Sequence, residues 1–184
     1  GKLWNEITES YNQKGRHYHD LKHLENLLAE LEACRSFIQD WNAVLFVLIY
    51  HDIVYKATRS DNEAQSAVIA QERLQSFGVG KEMTDKVCDY ILATKSHDTH
   101  QDMDCNLFTD ADLSILGKGW EDYERYTQQV RQEYKIFPDL LYKPGRKKVL
   151  RHFLAMPRIY KTDFFFERYE DKARTNLERE LEQI

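Results

Sequence analysis

The stretch Asp40-Trp-Asn-Ala-Val-Leu-Phe-Val-Leu-Ile-Tyr50-His51-Asp52 decides how the rest of the chain is read. Ala43 to Tyr50 are eight consecutive apolar residues, a run that a buried strand and a buried helix both accept. Asp40 stands where an N-cap carboxylate would take the first free N–H groups, and the flanking segments have helical period, so the stretch is predicted helical. A helix that is apolar nearly all round belongs inside a core. This one ends by delivering an imidazole and a carboxylate side by side, and neither enters a core without a partner. A hydrogen-bonded His51–Asp52 pair is one solution. A metal ion held by neutral imidazole and carboxylate is the other.

Outward from this segment the period stays helical. Leu21, Leu24, Leu27, Leu28 and Leu31 recur at three- and four-residue steps, which predicts an amphipathic helix over about 20–34. Asn62 is placed to cap a helix carrying Ala67, Val68 and Leu74 and closing near Gly78 and Gly80. Thr84 caps or begins another, with Val87, Ile91 and Leu92 on one face. A helix near 104–116 ends at Gly117, read as a left-handed C′ residue. Tyr123, Tyr126, Val130 and Tyr134 stripe the next, which Pro138 stops. Pro144 suits the first turn of a helix with Val149, Leu150, Phe153 and Leu154 inside. The last helix starts about Asp163 and turns Phe166, Tyr169, Ala173 and Leu177 inward. The expectation is an all-α single domain, 1–184, of about eight helices.

Composition agrees. Seven Gly and three Pro are too few for the many tight turns of a sandwich or barrel. The 184 residues are long enough to bury a core without disulfide staples. With 26 basic and 31 acidic residues the net charge is −5, which offers no general footprint for nucleic acid. No apolar run approaches the ~20 residues that span a bilayer, and no charged-then-apolar leader opens the chain. Cys34, Cys88 and Cys105 have no CxxC spacing and read as reduced thiols. A cytoplasmic protein without a membrane partner is expected.

Chemistry concentrates in three segments. In Arg16-His-Tyr-His-Asp-Leu-Lys-His-Leu24, His19 and His23 lie about 40° apart on one helix face. His51-Asp52 follows the apolar helix. In Phe108-Thr-Asp-Ala-Asp-Leu-Ser-Ile-Leu-Gly117 two carboxylates sit in a core-like segment, where acids stay only if paired or bound to metal. Asp110 reads as a cap or salt bridge; Asp112 joins the histidines.

In order, His23, His51, Asp52 and Asp112 form an H…HD…D set, and on it the chain resembles the HD superfamily of metal-dependent phosphohydrolases. The motif core covers 16–117. The His19–Leu24 segment and Ala111-Asp-Leu-Ser114 also look like parts of cyclic-nucleotide phosphodiesterases. Asp61-Asn-Glu-Ala-Gln-Ser-Ala67, Ala93-Thr-Lys-Ser-His97, Val130-Arg-Gln-Glu-Tyr134 and Gly145-Arg146 are similar to a bacterial subgroup of predicted HD phosphohydrolases, which extends the likeness over most of the chain.

The resemblance implies a helical bundle with a divalent metal at the base of a cleft, held by His23, His51, Asp52 and Asp112, and the C-terminal helices of 119–184 packed on that core. It implies hydrolysis of a small phosphorylated metabolite, a nucleotide by family analogy, through an activated water. His19 is cast as proton donor, and Asp52 or Glu63 as proton acceptor; Glu63 in a first helical turn equally complements the dipole. Lys95, His97, Arg131 and Arg146 are the candidate phosphate contacts, the arginines favoured for their planar fork. His97 is the one candidate for a further ligand, so one metal is expected, among Mn, Fe, Co, Ni, Zn and Mg. A non-catalytic nucleotide-binding module of the same family is the alternative, and an iron-dependent oxygenase on that scaffold a third.

Overall fold

A computed structural model describes residues 2–184. Among them the secondary structure is helical throughout, with no strand. Nine α-helices follow in order: α1 Lys2–Tyr11, α2 Leu21–Ala33, α3 Trp41–Tyr50, α4 Asn62–Ser76, α5 Lys81–Ala93, α6 Met103–Asp112, α7 Trp120–Glu133, α8 Asp139–Ala155 and α9 Asp163–Gln183. Two 3₁₀ turns, Arg35–Phe37 and Leu113–Gly117, precede α3 and follow α6. None of the described helices is long and apolar enough to cross a membrane.

The ambiguous apolar run resolves as the central helix. Asp40 caps α3 by accepting from the Ala43 N–H at 3.0 Å. Asp40 and Gln39 in turn donate their own N–H groups to the buried Asp104 carboxylate, which fastens the start of α3 to α6. α3 packs against α2, α4, α5 and α6 together, so Ala43, Val44, Val47 and Leu48 are buried on several sides. Burying such a side chain is worth about 1.5–3 kcal/mol, which makes α3 the element the others are arranged around.

Several local expectations shift. α1 carries no strong start signal and went unread. Asn62 is the first residue of α4 rather than its cap, and its side chain instead exchanges hydrogen bonds with the backbone of Lys56. α5 begins three residues before Thr84, whose hydroxyl donates back to the Gly80 carbonyl. Pro144 lies inside α8, because Pro138 takes the cap position and the helix starts at Asp139. Val68, Leu92 and Val149 are exposed; the positions beside them, Ala67, Ile91 and Leu150, turn inward. Phe165 rather than Phe166 is fully buried on α9. Gly78 has φ +73°, the left-handed conformation expected after α4.

Gly117 is needed for another reason. Its φ is not positive; a Cβ there would stand 2.5 Å from Tyr169 Cβ. The 3₁₀ turn after α6 therefore lies almost in van der Waals contact with the α9 backbone. Asn176 on α9 completes the joint by donating to the Leu116 and Lys118 carbonyls.

Candidate metal centre

Three helix ends meet below α3. Asp20 caps α2, accepting from the N–H groups of Lys22 and His23, and this sets His23 in the first turn facing inward, 4 % exposed. His51 is the C-cap of α3 and Asp52 follows it into the turn. Asp112 is the last residue of α6. Tyr18 packs on the His23 ring and Phe108 meets the His51 ring edge-on, so both imidazoles are walled by aromatics.

The donor atoms converge. His23 Nε2 lies 3.2 Å from His51 Nε2 and 3.3 Å from Asp112 Oδ1; His51 Nε2 lies 3.2 Å from Asp52 Oδ2. The cross distances, His23 to Asp52 and His51 to Asp112, are 3.9 Å. Donors around a cation at bond lengths of about 2.0–2.2 Å are separated by roughly 3–3.5 Å, and the three shorter spacings suit a shared ion. His23, His51 and Asp52 alone place one ligand atom each within 4.8 Å of the others and could hold a metal ion. His51 Nδ1 donates to the Leu48 carbonyl at 3.1 Å, which leaves the Nε2 lone pair directed at the cluster, as a metal-ligating histidine requires. Two imidazoles with a carboxylate suit a borderline divalent ion and leave positions for water and substrate.

Electrostatics point the same way. Burial opposes charge on His51, yet the adjacent Asp52 carboxylate, with Asp112 beyond it, pushes its pKa up to about 9. Burial likewise opposes ionisation of Asp52 and Asp112, but the His51 ring holds Asp52, and His23 and His97 hold Asp112, well below the usual carboxylate range. Two ionised carboxylates thus face one small volume in search of positive charge.

His97 enters through Asp112. Its Nε2 is 3.2 Å from Asp112 Oδ2, and it adopts φ +55°, a left-handed conformation that costs a non-glycine residue energy. Asp110, two residues back, is fully buried and taken: it accepts from the backbone and ammonium of Lys161 and from the backbone and hydroxyl of Thr162, tying α6 to the start of α9. Arg16 ties the His19 loop to the turn after α3 by donating to the carbonyls of His19, Asp52 and Ile53.

A cleft of about 390 Å³ opens on the cluster, with His23 and Asp112 in its wall. Tyr18, Asn26, Leu27, Ile115 and Gln129 line it further out, and Lys22, Lys118 and Arg125 supply cations. None of the expected phosphate contacts lies there. Lys95 is exposed and donates to the Ser60 carbonyl. Arg131 pairs with Asp139 and donates to the carbonyls of Tyr134 and Phe137, closing the turn between α7 and α8. Arg146 is buried and grips both oxygens of Glu180. Both planar forks are filled by protein acceptors, so the expectation of phosphate binding at Arg131 and Arg146 is replaced by a structural role. Glu63 stays half-buried in the first turn of α4, and among the described residues no hydrogen bond links it to the cluster.

His19 stands beside the metal donors, its ring 5.7 Å from that of His23 and stacked 4.0 Å from Tyr55. Its partner was not anticipated: Glu133, the last residue of α7, 114 positions away. The signal was available in the sequence as an acid in the inward stripe of Tyr123, Tyr126 and Val130, one step further at helical spacing. Burial disfavours charge on Glu133, but the His19 ring and the backbone N–H groups around it hold its pKa down to about 2. Burial also disfavours a charged His19, and the Glu133 hydrogen bond together with the Asp52, Glu133 and Asp112 charges more than offsets that, raising its pKa above the ordinary value.

Comparison of the chain with protein-family models, with curated proteins and with solved structures gives no match in any of the three.

Proposed function

We propose that the chain is a metal-dependent phosphohydrolase of the HD type, acting on a small phosphorylated metabolite, with a nucleotide as the first class to try. The observation that carries this reading is the convergence of His23, His51, Asp52 and Asp112 from three helices onto one point in the wall of a cleft. When bound, a divalent ion there supplies Lewis acidity toward a phosphoryl oxygen and acidifies a water. The protein does the rest. Asp52 is the carboxylate beside that point and the better placed proton acceptor, since among the described residues no hydrogen bond links Glu63 to the cluster. His19 carries the proton for the leaving oxygen. The cleft orients the organic part of the substrate between Asn26, Leu27, Ile115 and Gln129.

Lys22 and Arg125 meet additional phosphate oxygens. Among the described residues each is paired with a surface acid on its own helix, Glu25 and Asp122. Such exposed pairs contribute about 0–1 kcal/mol and are readily exchanged for a phosphate. Lys118 is different: it donates to buried Glu30 and to the Tyr169 hydroxyl, and stays with them.

The test is metal analysis of the purified protein followed by phosphate release from a panel of mononucleotides and sugar phosphates. A bound divalent ion is expected, with release that His51→Ala lowers by roughly 10²-fold or more. Absence of release across the panel, or release that His51→Ala leaves unchanged, overturns the reading.

A further inference from the structure

Glu133 accepts five hydrogen bonds through a side chain that is 1 % exposed. Oε1 takes three consecutive backbone N–H groups, His17 and Tyr18 at 2.8 Å and His19 at 3.0 Å. Oε2 takes His19 Nδ1 and the Tyr55 hydroxyl, both at 2.8 Å. Three successive N–H groups pointing one way make an anion recess. A buried carboxylate so supplied remains ionised, and an ionised carboxylate only accepts. The hydrogen between Glu133 and His19 therefore belongs to the ring, on Nδ1.

The geometry points to Glu133 as a positioning residue that fixes the tautomer of His19, keeping Nδ1 protonated so that protons are gained and lost only at Nε2. The consequence for turnover rests on the hydrolase reading above; the consequence for the ring does not. Rotation of the ring is blocked by the stack on Tyr55 and by the edge of Tyr18 at 4.9 Å. The His19 side chain is 21 % exposed, so solvent reaches it. In the reaction a water oxygen joins phosphorus, the phosphorus–oxygen ester bond breaks, and the departing oxygen takes the proton from Nε2 of the cationic ring. The proton the water released passes through Asp52 to solvent; His19 ends neutral with Nδ1–H still on Glu133 and regains a proton from solvent, leaving alcohol and phosphate.

A plain staple between α7 and the 17–19 loop would use the same Oε1 contacts and be indifferent to the ring. Glu133→Gln separates the two roles. The amide oxygen can stay in the N–H recess, which turns the NH₂ toward His19 Nδ1 and Tyr55. Nδ1 must then accept, and the ring hydrogen moves to Nε2, which leaves the neutral ring no free lone pair to take up a proton.

The experiment is nitrogen–proton correlation NMR of the histidine rings in the whole chain, with His19 assigned from His19→Gln, alongside phosphate release. In the wild type the neutral His19 ring is expected to carry its hydrogen on Nδ1; in Glu133→Gln, on Nε2, with turnover falling by about 10²–10⁴-fold and KM little changed, since the cleft is untouched. Glu133→Asp, which keeps the charge, is expected to recover the wild-type tautomer and part of the turnover. A wild-type ring protonated on Nε2 overturns the inference without any variant, and so does a Glu133→Gln protein with wild-type tautomer. The inverted tautomer with unchanged turnover removes His19 from the reaction and overturns the catalytic half. The expected tautomers in a chain that releases no phosphate uphold Glu133 as the residue that orients His19, while the hydrolase reading falls on its own test.

Discussion

His51 has to satisfy two different neighbours. In the metal-free protein it is a cation balancing Asp52 and Asp112, with a pKa near 9; as a ligand it must give up that proton. A raised pKa means that the ion pair contributes stability fully below the unfolded value of about 6.5 and loses it as pH rises through about 9. Metal binding runs the other way. The apparent affinity should rise about tenfold per pH unit between pH 7 and 9 and level off above, with a proton released on binding. Calorimetry in buffers of different ionisation enthalpy measures both, and an affinity flat over that range would mean the ring is already neutral. The same residue shows what sequence makes legible. His23, His51, Asp52 and Asp112 stand out because polar groups in apolar surroundings are conspicuous along the chain. Glu133 does not stand out, and neither do the acceptors of Arg146, because their meaning depends on partners far off: Glu180 for Arg146, and the 17–19 loop for Glu133.

At the scale of elements, apolar period located α2, α3, α4, α5, α7 and α9 well, since each buries one stripe or, for α3, every side. It located their ends less well. Capping is decided by which neighbour takes the free N–H groups, and Pro138 in place of Pro144 moved the start of α8. Gly117 illustrates a requirement that no local pattern encodes. Its freedom from a side chain matters because Tyr169 of α9 passes within 2.5 Å of where a Cβ would be. Gly117→Ala should therefore push α9 off the 3₁₀ turn and destabilise by about 1–3 kcal/mol, lowering Tm by about 2–4 °C per kcal/mol. The turn follows Asp112 directly, so metal affinity should weaken with it. Thermal melting with and without metal checks this; an unchanged Tm would show that the joint yields freely.

For the molecule as a whole, the candidate donors come from α2, α3 and α6, the cleft adds α7, and α9 with the cap before it holds α6 through Asp110 and the turn after α6 through Asn176. A site assembled from so much of the chain should unfold with it. A bound metal at 100 times its Kd adds about 2.7 kcal/mol, so a chelator should lower Tm by several degrees while the transition stays single; separate transitions by circular dichroism and by metal release would indicate a detachable site. All-helical architecture was readable in advance because turn residues are scarce and the apolar period is helical almost throughout. The way the helices meet was not, since it is settled by side chains from a few dozen to more than a hundred positions apart. Arg16 is one of those long-range ties, and the nature of its grip has a consequence for solution conditions. It bonds to carbonyl oxygens of His19, Asp52 and Ile53, which carry no formal charge. Dissolved ions screen charge against charge across solvent, and they have little to act on in a desolvated fork seated on dipoles. The loop that carries His19 should therefore keep its place in concentrated brine, where pairs such as Arg125 with Asp122 come apart.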